Sequence, residues 1–368
     1  METLFWAAAL IVVYVYAGYP LLLAAWVRLA PRPVARRPAA APRPWPSLSI
    51  IIAARNEAAR LKPRVANLLD ARYPGPREII VVSDGSSDDT PSVLAELEER
   101  YAVRTIALPP GGKPSAVNAG AAAATGDVLL FADARQTFDP DALVELVANF
   151  DDPAIGGVTG ELILDCERGE SDSSVGDGVG LYWRYEKWLR RRESLVWSTL
   201  GATGAIYALR RELWRPLPPE TLLDDVLAPM RAVLAGRRVV FEERARAYDR
   251  GTPDAAAESR RKTRTLAGNY QVLALEPRLL VPGVNPVWLQ YVSHKLGRLL
   301  VPWALLAAFF ASATLAPTSW IFTSAFVLQL GFYALAAVGG WLDARQHRRR
   351  TCDAERVNAV TALREETR

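Results

Sequence analysis

Hydrophobic and polar positions follow three regimes along this chain. The first is long and uncharged. From Thr3 to Val27 no charged residue occurs, which is enough helix to cross a hydrocarbon core of about 30 Å. A second uncharged stretch runs from Leu299 to Leu342 and is interrupted by Ala316-Pro317-Thr318-Ser319. It predicts a helical hairpin of two spans. The second regime is amphipathic. Between Pro286 and Arg298, Trp288, Leu289, Val292 and Leu296 recur at helical spacing, while His294, Lys295 and Arg298 supply polar positions. This segment predicts an interfacial helix, or else the first turns of the second span.

The third regime alternates short apolar runs with helical patterns. Leu48–Ala54 is β-rich and is followed by a helical pattern to about Ala71. Glu78–Ser83 is the next run, then a helix over 91–102, then Val103–Leu108, then a small-residue helix from Gly111 to Ala124, then Val128–Ala132. Strands alternating with helices of this length predict a parallel α/β sheet, with ligands at the carboxyl ends of the strands. Glu57, Asp84 and Asp133 each follow directly on a predicted strand. A lone acid there reads as a helix cap, and Asp88 and Asp89 are read that way. Three acids converging on one edge predict a binding cleft instead. Acids do not bind phosphate directly, so they would meet hydroxyls, base edges or a divalent cation that carries phosphates. Lys113 adds a cation to the same edge.

Charge and composition sharpen the picture. The formal charge of +4 is too small to argue for nucleic acid, and no zinc-finger spacing accompanies it. The two cysteines, Cys166 and Cys352, exclude a disulfide framework, and His294 and His347 are too few for a His-based metal site. Arg28, Arg32, Arg36, Arg37 and Arg43 follow the first span, while Arg298 precedes the hairpin and Arg345, Arg348, Arg349 and Arg350 follow it. The positive-inside rule then puts the N-terminus outside and the intervening domain in the cytoplasm. Glu2, rather than a basic residue, precedes the first span, which argues for an anchor over a cleaved signal. The expected organisation is a transmembrane anchor (1–30), a Pro/Ala/Arg-rich linker (31–46), a cytoplasmic domain (47–282), an interfacial helix (283–298), a two-span hairpin (299–342) and a basic, then polar tail (343–368). Residues 165–178 and 243–259 are expected to be loops, and 179–197 an amphipathic helix.

The motifs together resemble a family 2 glycosyltransferase. They are Ala54-Arg-Asn-Glu57, Ser83-Asp-Gly-Ser-Ser-Asp-Asp-Thr90, Gly112-Lys113 with Asn118-Ala-Gly120, Phe131-Ala-Asp133, Gly201-Ala-Thr-Gly-Ala-Ile-Tyr207, Leu223-Asp224-Asp225-Val226 and Arg260-Arg-Lys-Thr-Arg264. With flanking spans, the resemblance is to the membrane-embedded branch that includes cellulose, hyaluronan and poly-N-acetylglucosamine synthases. It covers roughly residues 45–300. It implies a GT-A nucleotide-diphospho-sugar transferase domain and inverting transfer from a UDP-sugar to a saccharide or lipid-linked acceptor, in a multi-pass protein of the cell (inner) membrane.

By the same resemblance, Glu57, Asp84 and Lys113 would contact the uridine end, and Asp133 would support the diphosphate through Mg2+ or Mn2+. Arg135 stands where the family has a second metal-binding acid, and would neutralise the diphosphate instead. Asp225, with Asp224 beside it, matches the family's base; by residue type alone the pair reads equally as a helix cap. Arg261 and Arg264 match the cations that meet the leaving diphosphate, whereas Thr265 replaces the family's Trp. Three spans are few to enclose a channel, so single transfer, or help from a partner subunit or oligomer, is expected. Arg135 and Thr265 also suit an alternative, a catalytically inactive sugar-nucleotide-binding subunit.

Overall fold

In a computed structural model, the structure describes residues 1–37, 44–164, 174–249 and 255–342. Eight strands form one sheet: β1 Leu48–Ala54, β2 Arg77–Asp84, β3 Val103–Leu108, β4 Val128–Asp133, β5 Thr137–Phe138, β6 Ile155–Leu164, β7 Ile206–Arg210 and β8 Arg238–Asp249. Their order is β3-β2-β1-β4-β7-β6-β8-β5. The half containing β3, β2, β1 and β4 is parallel. Beyond it β7 runs antiparallel to β4 and β6, β8 is parallel to β6, and the short β5 is antiparallel to β8. The class is therefore α/β with a mixed sheet.

Helix α1 spans Glu2–Leu29 and carries a π turn at Tyr14–Gly18. It is followed by α2 (Ala58–Asp70), α3 (Thr90–Arg100), α4 (Lys113–Ala123), α5 (Ala142–Val147), α6 (Ser174–Val196), α7 (Asp224–Leu234) and α8 (Ala255–Leu275). The chain then forms α9 (Trp288–Thr318) and α10 (Trp320–Leu342). Among the described residues α1, α9 and α10 are long and apolar enough to cross a membrane. Because α9 runs unbroken from Trp288, the helix expected over 283–298 is continuous with the second span.

The chain divides into two compact units, one of Ala17–Gly251 with Thr265–Leu296, the other of Met1–Tyr16, Thr252–Arg264 and Gly297–Arg368. The second unit packs Phe5 and Ala8 against Ala304, Ala308, Ala311 and Phe322. The first holds the sheet, and the strand pattern explains why it is buried on both faces. Ile50 and Ile52 of β1 point to one side, with Leu61, Val65 and Leu68 of α2 and Leu94 and Leu97 of α3. Ile51 points to the other, with Ala116 and Val117 of α4 and Leu227 and Met230 of α7. A parallel strand sandwiched this way needs apolar residues at successive positions, hence the unbroken run in β1.

Two loop expectations are corrected. Residues 243–249 are not part of a loop; they complete β8. Ala245 and Ala247 are buried while Arg244 and Arg246 are exposed or nearly so, a period of two concealed by small inward residues. Residues 255–259 open α8. Helix α6 begins at Ser174, earlier than expected, and the remaining loop positions, 165–173 and 250–254, lie outside the described residues.

Helix α4 rests on β1 so closely that a Cβ on Gly120 would stand 2.5 Å from Ile51 Cγ2. Gly120→Ala should therefore overpack this face and cost about 1–3 kcal/mol, read as a lower thermal midpoint of the full chain in neutral detergent. An unchanged midpoint would show that α4 is free to shift.

Candidate active site

Strand register brings the predicted acids to one edge. In the parallel half Ala54 is level with Ser83, and Ala53 is level with both Val82 and Asp133, so Asp84 and Asp133 end on either side of β1, with Glu57 just beyond it. The turn after β1 places Asn56 at φ 55°, a left-handed conformation that Asn tolerates better than most residues. Asn56 Oδ1 accepts from the Ser87 amide at 2.8 Å, and the Asn56 amide donates to Ser86 Oγ at 3.1 Å, which ties the turns after β1 and β2 together. Glu57 pairs with Arg60 at 2.6 Å.

Asp84 is 4% exposed, and its Oδ1 accepts from the amides of Gly111 at 2.6 Å and Gly112 at 3.0 Å. Gly112 holds φ at 83° and opens α4, whose first residue is Lys113. One carboxylate oxygen of Asp84 is thus committed to the loop that delivers Lys113, leaving Oδ2 beside Arg55 at 4.0 Å.

Lys113 is the centre of the cluster. Its Nζ lies 3.1 Å from Asp133 Oδ1 and 3.4 Å from Asp224 Oδ2. Burial alone would lower its pKa, but Asp224, Asp133 and Asp225 more than offset that and hold the ammonium well above the usual range. The acid pair arrives through β7. Because Ile206 lies opposite Ala132, the segment 201–205 emerges at the same edge as Asp133. The Gly204 amide donates to Asp225 Oδ2 at 3.1 Å, and a Cβ there would also lie 3.1 Å from that oxygen, so glycine permits the approach. The Ala202 amide donates to the Asp225 carbonyl at 2.7 Å. Neither acid caps α7: Leu223 is the N-cap, without a side-chain bond, and both acids sit in the first turn, where the helix dipole favours them.

Burial is the largest influence on Asp225, followed by the charge of Asp224; Lys113, Lys295 and Arg190 pull the other way, and its pKa is raised to about 6. Below the pair lies Tyr207, 1% exposed, its ring stacked on Phe131 at 4.8 Å. Burial, then Asp224, Asp225 and Asp133, push its hydroxyl well above the usual tyrosine range. That hydroxyl and Asp224 Oδ2 are both buried within this cluster.

Asp133 is pinned from behind by Arg64, whose Nε donates to the Asp133 carbonyl at 3.1 Å and whose guanidinium lies 4.0 Å over the Phe138 ring. Burial lowers Arg64 to about 9, partly opposed by Asp133. Arg135 Nη2 pairs with Asp249 Oδ2 at 3.2 Å, which also accepts from Gln136 Nε2 at 2.8 Å. An acid at the end of β8 satisfies the guanidinium, and nothing local in the sequence announces that partner.

No group of three His, Cys, Asp or Glu side chains able to hold a metal occurs among the described residues. The donor chemistry nevertheless fits a divalent cation that brings its own phosphate ligands: Asp133 presents a partly exposed carboxylate, with buried Asp224 Oδ2 on the same ammonium. Arg261 and Arg264 are exposed on α8 and belong to the other compact unit. Sequence reasoning passed over Tyr207, Arg190 and Lys295. The first was hidden in a small-residue segment, the second in the run Arg190–Arg192, the third in an amphipathic pattern that reads as surface.

Residues 49–215 match the profile of Glycosyl transferase family 2. Over 240 residues the chain is 27% identical to the Probable glycosyltransferase YdaM of Bacillus subtilis (strain 168), covering 62% of this chain and 56% of that protein. Over 120 residues it is 35% identical to the Beta-monoglucosyldiacylglycerol synthase of Synechocystis sp. (strain ATCC 27184 / PCC 6803 / Kazusa), covering 31% of this chain and 25% of that one. The chain thus spans about half or less of the length of these curated relatives. Among solved structures, the mannosyltransferase PcManGT from Pyrobaculum calidifontis, in complex with GDP-Man and Mn2+, superposes with a TM-score of 0.69 at 24% identity, covering 91% of this chain and 92% of that one. The family match ends before Asp224, and the structural likeness carries the fold across both. Residues 49–215 are accordingly a family 2 glycosyltransferase domain, carried on a GT-A fold.

Proposed function

We propose that this chain is an inverting membrane glycosyltransferase that moves a sugar from a UDP-sugar to a saccharide or lipid-linked acceptor in cell-envelope or exopolysaccharide synthesis. It would be a multi-pass protein of the inner membrane with the α/β domain in the cytoplasm, alone or with a partner subunit. The observation that carries the reading is the Asp225 carboxylate, held by the Gly204 amide beside Asp224 and Lys113 with its pKa raised to about 6. A base poised near neutrality is what acceptor deprotonation needs. Asp225 takes the proton from the acceptor hydroxyl as that oxygen attacks the anomeric carbon. The bond from that carbon to the diphosphate breaks, and the nucleoside diphosphate leaves. Lys113 faces the charge that develops there, and Glu57 and Asp84 lie toward the nucleoside.

Mg2+ or Mn2+, when bound, would neutralise the diphosphate; Asp133 would hold it, with Asp224 Oδ2 within the same cluster. PcManGT holds GDP-Man, so GDP-sugars belong in the same donor panel as UDP-sugars. The pairing of Arg135 with Asp249 favours a second reading, an inactive sugar-nucleotide-binding subunit. Nucleotide release from purified chain in detergent, with and without metal, separates the two: none from any UDP- or GDP-sugar would leave only the inactive one.

Asp225→Asn should lower transfer by about 100-fold to 10,000-fold while leaving nucleotide affinity within a few-fold. Loss of nucleotide binding in that variant would refute the assignment of the base. In the wild type, transfer should fall as pH drops through about 6.

Stability offers a check that needs no substrate. Asp225 has a folded pKa of about 6 against an ordinary 3.8, so ionising it opposes folding above about 6 and has no such cost below 3.8. Asp225→Asn should therefore unfold at a higher temperature than wild type at pH 8, with the gain fading as the pH falls toward 4. A gain that is absent at pH 8, or equal at both pH values, would show that the carboxyl is not perturbed.

A further inference from the structure

Toward the far end of α7 from Asp224 and Asp225, three arginines and one acid line a cavity of about 460 Å³. They are Arg215, after β7, Arg231, on α7, and Glu276 with Arg278, just after α8. All four belong to the compact unit that holds the sheet. Ala235, which ends α7 and also lines the cavity, lies about 15 Å from the acid pair along the helix axis. The cavity is therefore separate from the Asp225 cleft.

Glu276 is buried and sits between two of the cations. Its Oε1 accepts from Arg278 Nε at 2.7 Å, and its Oε2 from Arg231 Nε at 3.4 Å. Burial would raise its pKa, but Arg278 and Arg231 outweigh that and hold the carboxyl below its ordinary range. The acid is thus ionised, and it fixes each arginine through a single nitrogen. Arg231 Nη1 donates to the Pro216 carbonyl at 3.0 Å, and Arg215 Nη1 to the carbonyls of Glu212 at 3.0 Å and Trp214 at 2.8 Å. A guanidinium carries five N–H groups, so each arginine keeps donors beyond those that this framework uses. Three guanidiniums against one carboxylate leave the wall with two positive charges in excess.

The chain next to Arg278 is apolar and faces outward. Leu280, Val281 and Val284 are exposed, as is Leu289, and no acidic residue occurs between Glu276 and Trp288. Trp288 Nε1 donates to the Leu280 carbonyl at 2.9 Å, which fastens this turn to the start of the membrane-length α9. Exposed apolar side chains with an indole at the start of such a helix are the pattern of a bilayer interface. Arg278 then stands at headgroup depth, lining the cavity and adjoining the apolar turn.

We infer that this cavity binds the phosphate of an anionic membrane lipid. Arginine forks match phosphate oxygens, whereas a zwitterionic headgroup brings an ammonium that the three guanidiniums repel. The apolar turn meets the acyl side of the interface. Occupancy joins α7, through Arg231, to the segment that enters α9, through Arg278. The inference takes only the membrane placement from the reading above and requires no sugar transfer.

The test is native mass spectrometry of the full chain in neutral detergent with dioleoylphosphatidylglycerol, dioleoylphosphatidylcholine and dioleoylglycerol, which share acyl chains. The wild type should retain the anionic lipid about tenfold better than either of the others. Arg215→Gln and Arg278→Gln, both at exposed positions, should keep the wild-type thermal midpoint and each lose most of that preference. Arg100→Gln, an exposed charge on α3, should retain it. Equal retention of the three lipids by the wild type, or an undiminished preference in both cavity variants, would overturn the inference. Excess inorganic phosphate should leave the lipid bound; displacement by it would assign the cavity to a soluble phosphate and overturn the lipid as its source. Release of the full chain from dioleoylphosphatidylcholine vesicles by alkaline wash would overturn the membrane placement instead.

Discussion

Three carboxylates can share one cleft near neutral pH only if a cation stands among them. Here that cation is Lys113, between Asp133 and Asp224 with Asp225 close by, and much of the surrounding architecture serves to put it there. Asp84 gives up one oxygen to hold the Gly111-Gly112 loop, Gly112 takes a left-handed φ so that α4 can start at Lys113, and Gly120 lets that helix lie down on β1. Sheet register, the Asp84-held loop and the Gly120 contact together close the sequence distance between these parts.

The parallel half of the sheet was legible because burial on both faces forces continuous apolar runs, and a strand that ends in an acid is visible without any partner. Glu57, Asp84, Lys113 and Asp133 could be read for that reason. The second half hid itself. In β8 the inward positions are Ala245 and Ala247, too small to mark a strand, and the outward positions are arginines that suggest a loop. The roles of Asp84 and Arg135 were hidden more deeply, since each depends on a partner distant in sequence: two glycine amides for one, Asp249 for the other. Residue type shows that a charge is present, while its assignment needs the register that brings strands together.

One end of each of two membrane-length helices, residues 17–29 of α1 and 288–296 of α9, belongs to the α/β unit. The Tyr19 hydroxyl donates to one oxygen of a buried Glu193, and His294 Nδ1 lies 2.7 Å from the same oxygen. A buried acid of this kind contributes geometric specificity more surely than net stability, since removing any partner leaves charge uncompensated. Its position on α6 ties that helix to Tyr19 and His294.

Charge balance gives the last constraint. One ammonium among three carboxylates already leaves the cluster negative when Asp225 is ionised, which is part of why its pKa rises. A nucleoside diphosphate placed against this cluster adds more negative charge and by Coulomb's law would push Asp225 higher still, toward the protonated form that cannot act as a base. Donor binding and base ionisation therefore oppose each other unless further positive charge enters with the donor. Arg135, the obvious candidate by position, is occupied with Asp249. Arg190 and Lys295 already pull the Asp225 pKa down, and a divalent cation carried on the diphosphate would add to them. On the proposed reading, that pair offsets only part of the deficit, and an additional cation entering with the donor would let one carboxyl stand beside a diphosphate and still accept a proton.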